Sequence, residues 1–268
     1  MWGKKDKTCD PENPADDQRG SWWDHVILDT KSRLIVTLVV GRRNLGTLES
    51  AWADFYARTD GGLPDLVTTD EYSAYSTALL RTYGVPKASL ELSVREKKAC
   101  DFASMPEVYF PEEINHATVH KERQGGRVVS IEKRILRGTK KAVDAALKRG
   151  STAATINVSY VERCHGTQRH FNARKARKVY TFSKALVFHV AVTWLCVAYY
   201  NFGWAVRTLR QQVQAQPPRY QQRTPAMVAG LADHRWTLQE MLTRPLFPPK
   251  TDAPTKMPQN KAKATEGG

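Results

Sequence analysis

The chain has four cysteines, Cys9, Cys100, Cys164 and Cys196, and no two of them form a C-x-x-C pair. That spacing argues against a zinc ribbon and leaves free thiols in a reducing compartment as the expectation. Cys164 stands beside His165, but nothing in the sequence orients them as nucleophile and base; a semi-exposed helical thiol is the plainer reading. Long apolar runs are scarce as well. Only ALVFHVAVTWLCVAYYNFGWAV, residues 185–206, has the length of a membrane span. It contains His189, Thr193 and Asn201, so a buried helix covering a sheet is expected, with no membrane partner. Its aromatic residues Trp194, Tyr199, Tyr200, Phe202 and Trp204 read as core rather than as base-stacking platforms. The opening MWGKKDKTCDPENPADDQRG is charged and contains proline, unlike a secretory signal. No internal repeat is visible.

Acid is also in deficit: 27 Asp and Glu stand against 41 Lys and Arg, a net charge of +14. The excess is concentrated. Residues 121–149 hold ten Lys/Arg and three acids, and residues 161–184 hold seven and one. Clustered basic charge points to a polyanion, most simply nucleic acid, with an acidic membrane as the lesser alternative and a solvated helix face as the plain one. At 268 residues and 41% hydrophobic content the chain can bury a sizeable core.

The order of elements reads as α/β. WWDHVILD and LIVTLVVG (34–41) are strands joined by the turn DTKSR, the second apolar enough to be buried on both faces. A helix runs from Thr47 to Gly61-Gly62, with Leu48, Trp52, Phe55 and Tyr56 at helical spacing. LPDLVTTD is a short strand and EYSAYSTALLRTYG a helix. Residues 84–155 include a hairpin turning at Gln124-Gly125-Gly126 and a helix around TKKAVDAALKRG. INVSY is strand-like and leads into a basic helix. Residues 207–244 form a polar linker and a short helix, with Thr237 and Glu240 as a capping box. The proline-rich end, 245–268, has the composition of a disordered tail.

Two acids stand out in this frame. Asp70 ends the strand LVTTD, and Glu162 opens the basic helix in VERCHGTQRHFNARKARKVYTFSK. Carboxylates at a strand end and on a helix rich in cations suit hard divalent ions and a phosphodiester substrate. The competing reading is structural: an Asp after a strand caps a helix, and a Glu in a first turn answers the helix dipole. Helical spacing puts His165 and Arg169 on the face of Glu162, either to contact a phosphate or to pair with the acid. Asp29, at the first position of DTKSR, reads as a turn residue bonding its own backbone. Asp24 is a weaker candidate still, and Glu71 reads as a helix-start residue.

The segment Glu162, Arg163, Arg169, Arg174, Arg177, Lys178, Phe182, Ser183 and Lys184 resembles the C-terminal part of insertion-sequence-one type transposases. KKDKTCDPENPADD with WWDH, TTDEYSAY, and TPAMVAGLADHRWTLQEML look like the same family, over roughly 1–83 and 155–244. The resemblance implies a ribonuclease H-like mixed sheet flanked by helices (core 21–206, leader 1–20, insertion 84–155). It also implies three acids holding two Mg²⁺ or Mn²⁺ ions. Asp70 matches the second acid and Glu162 the third. The opening strand with the first acid falls before the segment matching MWGKKDK, so the sheet is expected to lack its first strand, with Asp29 as a tentative substitute. Arg163, His165, Arg169, Arg174, Lys175, Arg177 and Lys178 are the implied DNA contacts. The implied activity is DNA cleavage and strand transfer in transposition, by a cytoplasmic, nucleoid-associated protein of bacterial or archaeal type that can oligomerise on DNA. A non-catalytic DNA-binding remnant and a structure-specific nuclease of the same fold are the alternatives.

Overall fold

The computed structural model describes residues 20–89, 107–150, 153–175, 185–213 and 219–243, together with residues 9, 10, 12, 13, 16 and 183. Strands β1 (Trp23–Leu28) and β2 (Ile35–Gly41) form an antiparallel pair. Helix α1 (Leu45–Arg58) follows, capped by the Asn44 side chain, which accepts from Thr47 N–H. Then come β3 (Val67–Thr69) and α2 (Ala74–Tyr83). The short pair β4 (Val85–Pro86) and β5 (Val108–Tyr109) is antiparallel. Next is the ribbon of β6 (His116–Gln124) and β7 (Arg127–Arg137), turned at Gly125 and Gly126, both with positive φ, as the sequence predicts.

Helices α3 (Lys140–Gly150), α4 (Ser159–Phe171) and α5 (Leu186–Ala198) come after the ribbon, and α5 runs on into a π-turn at Tyr199–Gly203. The C-terminal part holds the small pair β8 (Gln211–Gln212) and β9 (Tyr220–Gln221), then α6 (Pro225–Val228) and α7 (Leu238–Thr243). The capping box before α7 is formed: Glu240 accepts from Thr237 N–H, and Thr237 Oγ1 accepts from Glu240 N–H.

The strands lie in two main sheets, β2-β1 and β3-β6-β7. Residues 116–137 fall inside the stretch expected as an insertion, yet β6 pairs in parallel with β3, Val67 opposite His116 and Thr69 opposite Thr118. The same helices cover both sheets. On one face, Leu48 and Trp52 of α1 pack with Val67 of β3, with Leu79 and Tyr83 of α2, and with Ile27 of β1. On the other face, α4 lies against β1, while Val158 at its start joins Ala117 and Val119 of β6. Alternation along β1 explains the division: Ile27 faces α1, and Val26 and Leu28 face Cys164, Val197 and Tyr200.

The edges can be placed from hydrogen bonds. Asn201 in the π-turn accepts from Ile35 N–H and donates to Ile35 C=O, at 3.0 and 2.9 Å, so it closes the rim of β2 that faces away from β1. At the opposite rim, β7 lies beyond β6. Among the described residues no strand pairing joins the β1-β2 sheet to the β3-β6-β7 sheet. Arg43 stacks over both Trp23 and Tyr72, and Tyr72 Oη donates to Arg43 C=O at 3.0 Å, so the start of β1 and the end of β3 lie together.

Several expectations change. INVSY is not a strand; residues 153–158 are irregular, and α4 begins at Ser159. The basic helix ends early, at Phe171, where Asn172 takes an extended conformation and its side chain accepts from Arg174 N–H. Ala173–Lys175 form a single 3-10 turn, and Arg177, Lys178, Phe182 and Lys184 lie outside the described residues. Leu186–Leu209 is long and apolar enough by composition to cross a membrane, with 44% of the apolar window buried. His189, Thr193, Cys196 and Val197 of α5 face inward, while Val187 and Phe188 are exposed.

Candidate active site and basic surround

Asp70 follows β3 and is exposed; its Oδ1 accepts from Tyr72 N–H at 3.2 Å, the local turn bond of an Asp after a strand. Its charge acts on the Tyr75 hydroxyl, which burial first and Asp70 second push up to about 12. Glu71 accepts from His120 of β6 and Arg134 of β7, so it ties the end of β3 to the ribbon rather than simply opening α2. Glu162 lies in the first turn of α4, exposed, and pairs with Lys121 of β6.

The parallel register sets the face on which the neighbours of each acid lie. Thr68 pairs with Ala117, and Ala117, Val119 and Lys121 share the face turned to α4. By alternation Asp70, two places after Thr68 and just past the strand, has the parity of the face that carries Lys121, the partner of Glu162.

Asp29 is spoken for locally. Its carboxylate accepts from Lys31 N–H at 3.2 Å, Ser32 N–H at 2.8 Å and the Ser32 hydroxyl, which is the turn role expected of it. Asp24 behaves quite differently. It sits on β1 with the parity of Val26 and Leu28, facing α4 and α5, and Lys175 Nζ lies 2.7 Å from its Oδ2. His189 Nε2 is 3.4 Å from Oδ1, at the outer limit of a hydrogen bond. Burial pushes the Asp24 carboxyl up, but the His189 contact and the Lys175 ammonium outweigh it and hold it down to about 2. The Lys175 side chain is only 7% exposed, so its charge is committed to Asp24. The sequence reading ranked Asp24 low; the signal that could have raised it is its shared parity with the partly buried aliphatic residues Val26 and Leu28.

His165 links the two groups of acids. Burial lowers its pKa first; Asp24 and Glu162 raise it, and Arg169 and Lys175 lower it further. Arg163 and Arg169 of α4 are exposed, and Arg174 is exposed with its guanidinium 3.4 Å from the Ser183 hydroxyl. Cys164, expected to be semi-exposed, is 1% exposed, and burial pushes its thiol up to about 12. It is a packing residue and not a nucleophile. The aromatic group after α5 packs on itself as expected: Phe171 stands edge-on to Tyr199 and Trp204 at 5.2 and 5.0 Å, and Phe202 meets Trp236 at 4.4 Å.

The donor set can be tested against the implied metal. Asp70 and Glu162 offer hard carboxylate oxygens, the right kind for Mg²⁺ or Mn²⁺. Among the described residues, however, no group of three or more His, Cys, Asp or Glu gathers to hold an ion. Two acids, one of them paired with Lys121, fall short of what two ions need, so the described residues alone do not build a two-metal centre. Comparison with protein-family models, with curated proteins and with solved structures found no match. The chain is a mixed α/β protein of small sheets and helices, with no closed barrel among the described residues.

Proposed function

We propose that this chain is a DNA-binding domain of the transposase type, built on a ribonuclease H-like order of elements, which carries two of the three acids of a strand-cleaving centre. The observation that carries the reading is the placement of Asp70 and Glu162. One acid follows the C-terminal end of β3; the other opens α4, which packs on β1 and reaches β6 through the Glu162–Lys121 pair. The order antiparallel pair, helix, strand, helix, parallel strand supports the fold part of the proposal. The exposed Arg163, Arg169 and Arg174 beside Glu162 supply cations for a phosphate backbone. Arg177 and Lys178 extend the same basic run in the sequence.

The test is binding to duplex DNA at a series of salt concentrations, followed by cleavage and joining in Mg²⁺ or Mn²⁺. Replacing Arg163, Arg169 and Arg174 together by Ala should weaken binding across sequences and make the salt dependence shallower by up to about 0.9 per lost phosphate contact. An unchanged slope would reduce these residues to a solvated face. Cleavage that survives both Asp70→Asn and Glu162→Gln would remove the catalytic assignment. A second reading, a DNA-binding regulator without catalysis, is favoured by the Lys121–Glu162 pair, which occupies the acid with a cation. It predicts binding with no cleavage in either metal.

A further inference from the structure

The geometry points to a stacking platform for an unpaired nucleobase, built from Trp23, Arg43 and Tyr72. The occupant is a nucleotide of single-stranded DNA, its base on the open face of Trp23 and its phosphate on the Arg43 guanidinium. The inference rests on the nucleic-acid part of the proposed function. It adds a second contact, apart from α4 and selective for unpaired strands.

Trp23 is 48% exposed, the most open tryptophan among the described residues. A tryptophan ordinarily buries most of its ring, so an open one calls for a reason. Its partner across the β1-β2 pair is Gly41, which sets no side chain beside the indole. The Arg43 guanidinium carbon lies over the Trp23 ring, 5.1 Å from its centre, and over the Tyr72 ring at 4.6 Å. That covers one face of the indole. No other ring or cation meets Trp23 among the described residues, so its second face is left for a ligand.

The platform is anchored in the core. Tyr72 Oη donates to Arg43 C=O at 3.0 Å, and Tyr72 stands edge-on to Tyr75 with ring centres 5.9 Å apart. Both tyrosines pack against the apolar cluster of α1 and α2. Arg43 directly precedes Asn44, the residue that caps α1. Groups fixed in this way lose little freedom when a base stacks on them.

Charge sets the chemistry of the occupant. Arg43 is exposed and pairs with no acid among the described residues, whereas Arg81, Arg134 and Arg149 each do. A guanidinium stacked on aromatic rings keeps its N–H groups, which lie in its own plane, for a phosphate. An open ring beside an uncommitted cation is how proteins hold single strands, since every base has a π-face. Duplex DNA offers that ring nothing, because its bases are already stacked inside the helix. Tyr72 N–H is bonded to Asp70, so a nucleotide held here stands beside the acid assigned to strand cleavage.

The probe is a single-stranded oligonucleotide of about eight nucleotides, within the span of one binding groove. At its centre is a fluorescent adenine analogue whose emission falls on stacking. It is added to the full chain without divalent metal, so that nothing is cut. Emission should fall on binding. Trp23→Ala should abolish that fall and weaken binding by about 5- to 100-fold, the range of one base–aromatic stack. Trp23→Phe should restore part of both. Arg43→Ala should make the salt dependence shallower by about 0.7, the value of one phosphate contact on a single strand. The same sequence as a duplex should bind the Trp23→Ala chain as well as the parent. Unchanged emission and affinity in Trp23→Ala would overturn the proposal. So would an equal loss on duplex, which a general structural defect would give. The two readings fail separately. If replacing the α4 arginines leaves duplex binding and its salt slope unchanged while Trp23-dependent quenching persists, the α4 contact falls and the platform stands.

Discussion

The two faces of the sheet layer are built on opposite principles. Under α1 and α2, Leu48, Trp52, Leu79, Tyr83 and Val67 make one apolar cluster that crosses from one sheet to the other. Under α4 and α5 the apolar residues are divided, and acids and cations occupy the space between. The first face holds the two sheets in register. The second holds charge, which a core made only for stability would avoid, because burying ions costs more than burying aliphatic groups of equal volume. The asymmetry separates an apolar face that coheres from a face that carries charge.

The largest effect that would break this contrast comes from the charged face. Asp24→Ala leaves Lys175 and His189 without their acid in a buried setting, and denaturant unfolding should show a loss of about 3–5 kcal/mol. A loss below about 1 kcal/mol would mean that Lys175 simply turns to solvent. The pH dependence has a fixed sign. The folded carboxyl is held down to about 2, so its contribution is full above the unfolded value of 3.8 and is lost as pH falls through about 2.

On the apolar face, Leu48→Ala should cost roughly 3 kcal/mol through lost transfer energy and the cavity left behind. The same measurement on exposed Val187→Ala should stay within about 0.5 kcal/mol. His116 sharpens the comparison. It is 1% exposed, accepts or donates at Thr69 Oγ1 over 2.9 Å, and burial first and Arg137 second hold its pKa down to about 4. A buried neutral imidazole means that the unfolded chain binds the extra proton. Stability should therefore be full above about pH 6.5 and fall by up to about 3 kcal/mol as pH drops toward 4. His116→Gln should flatten that stretch of the stability curve. The smallest effect is at Glu162: Glu162→Gln should change stability by less than about 1 kcal/mol, because its pair with Lys121 is more than half exposed on the acid side.

Local chemistry was readable in the sequence wherever one segment decides the outcome. The Thr237–Glu240 box, the Gly125-Gly126 turn, the turn role of Asp29 and the helix carrying Leu48 and Trp52 all follow from neighbours in the chain. What depends on distant partners was not readable. The parallel pairing of Val67 with His116 joins residues that sequence reasoning had assigned to different regions. The end of α4 at Phe171 hangs on the Asn172 side chain, while a run of Lys and Arg beyond it reads as continued helix. Asp24 and Lys175 are 151 positions apart, and only the fold brings them together. The candidate site shows the same division. Asp70 and Glu162 were visible as acids at the ends of elements, whereas the commitment of Lys175 to Asp24 was not.

The Asn201 amide has a consequence for self-association. By occupying both the N–H and the C=O of Ile35, it leaves the β2 rim with nothing to offer a neighbouring molecule at that point. The far rim, β7, stays open and exposes Val128, Val129 and Ile131. A sheet with two open rims can stack end on end without limit. The β1-β2 and β3-β6-β7 sheets are separate, so the Asn201 carboxamide blunts the β2 rim at Ile35 alone, where it makes continued pairing with a neighbouring strand less favourable.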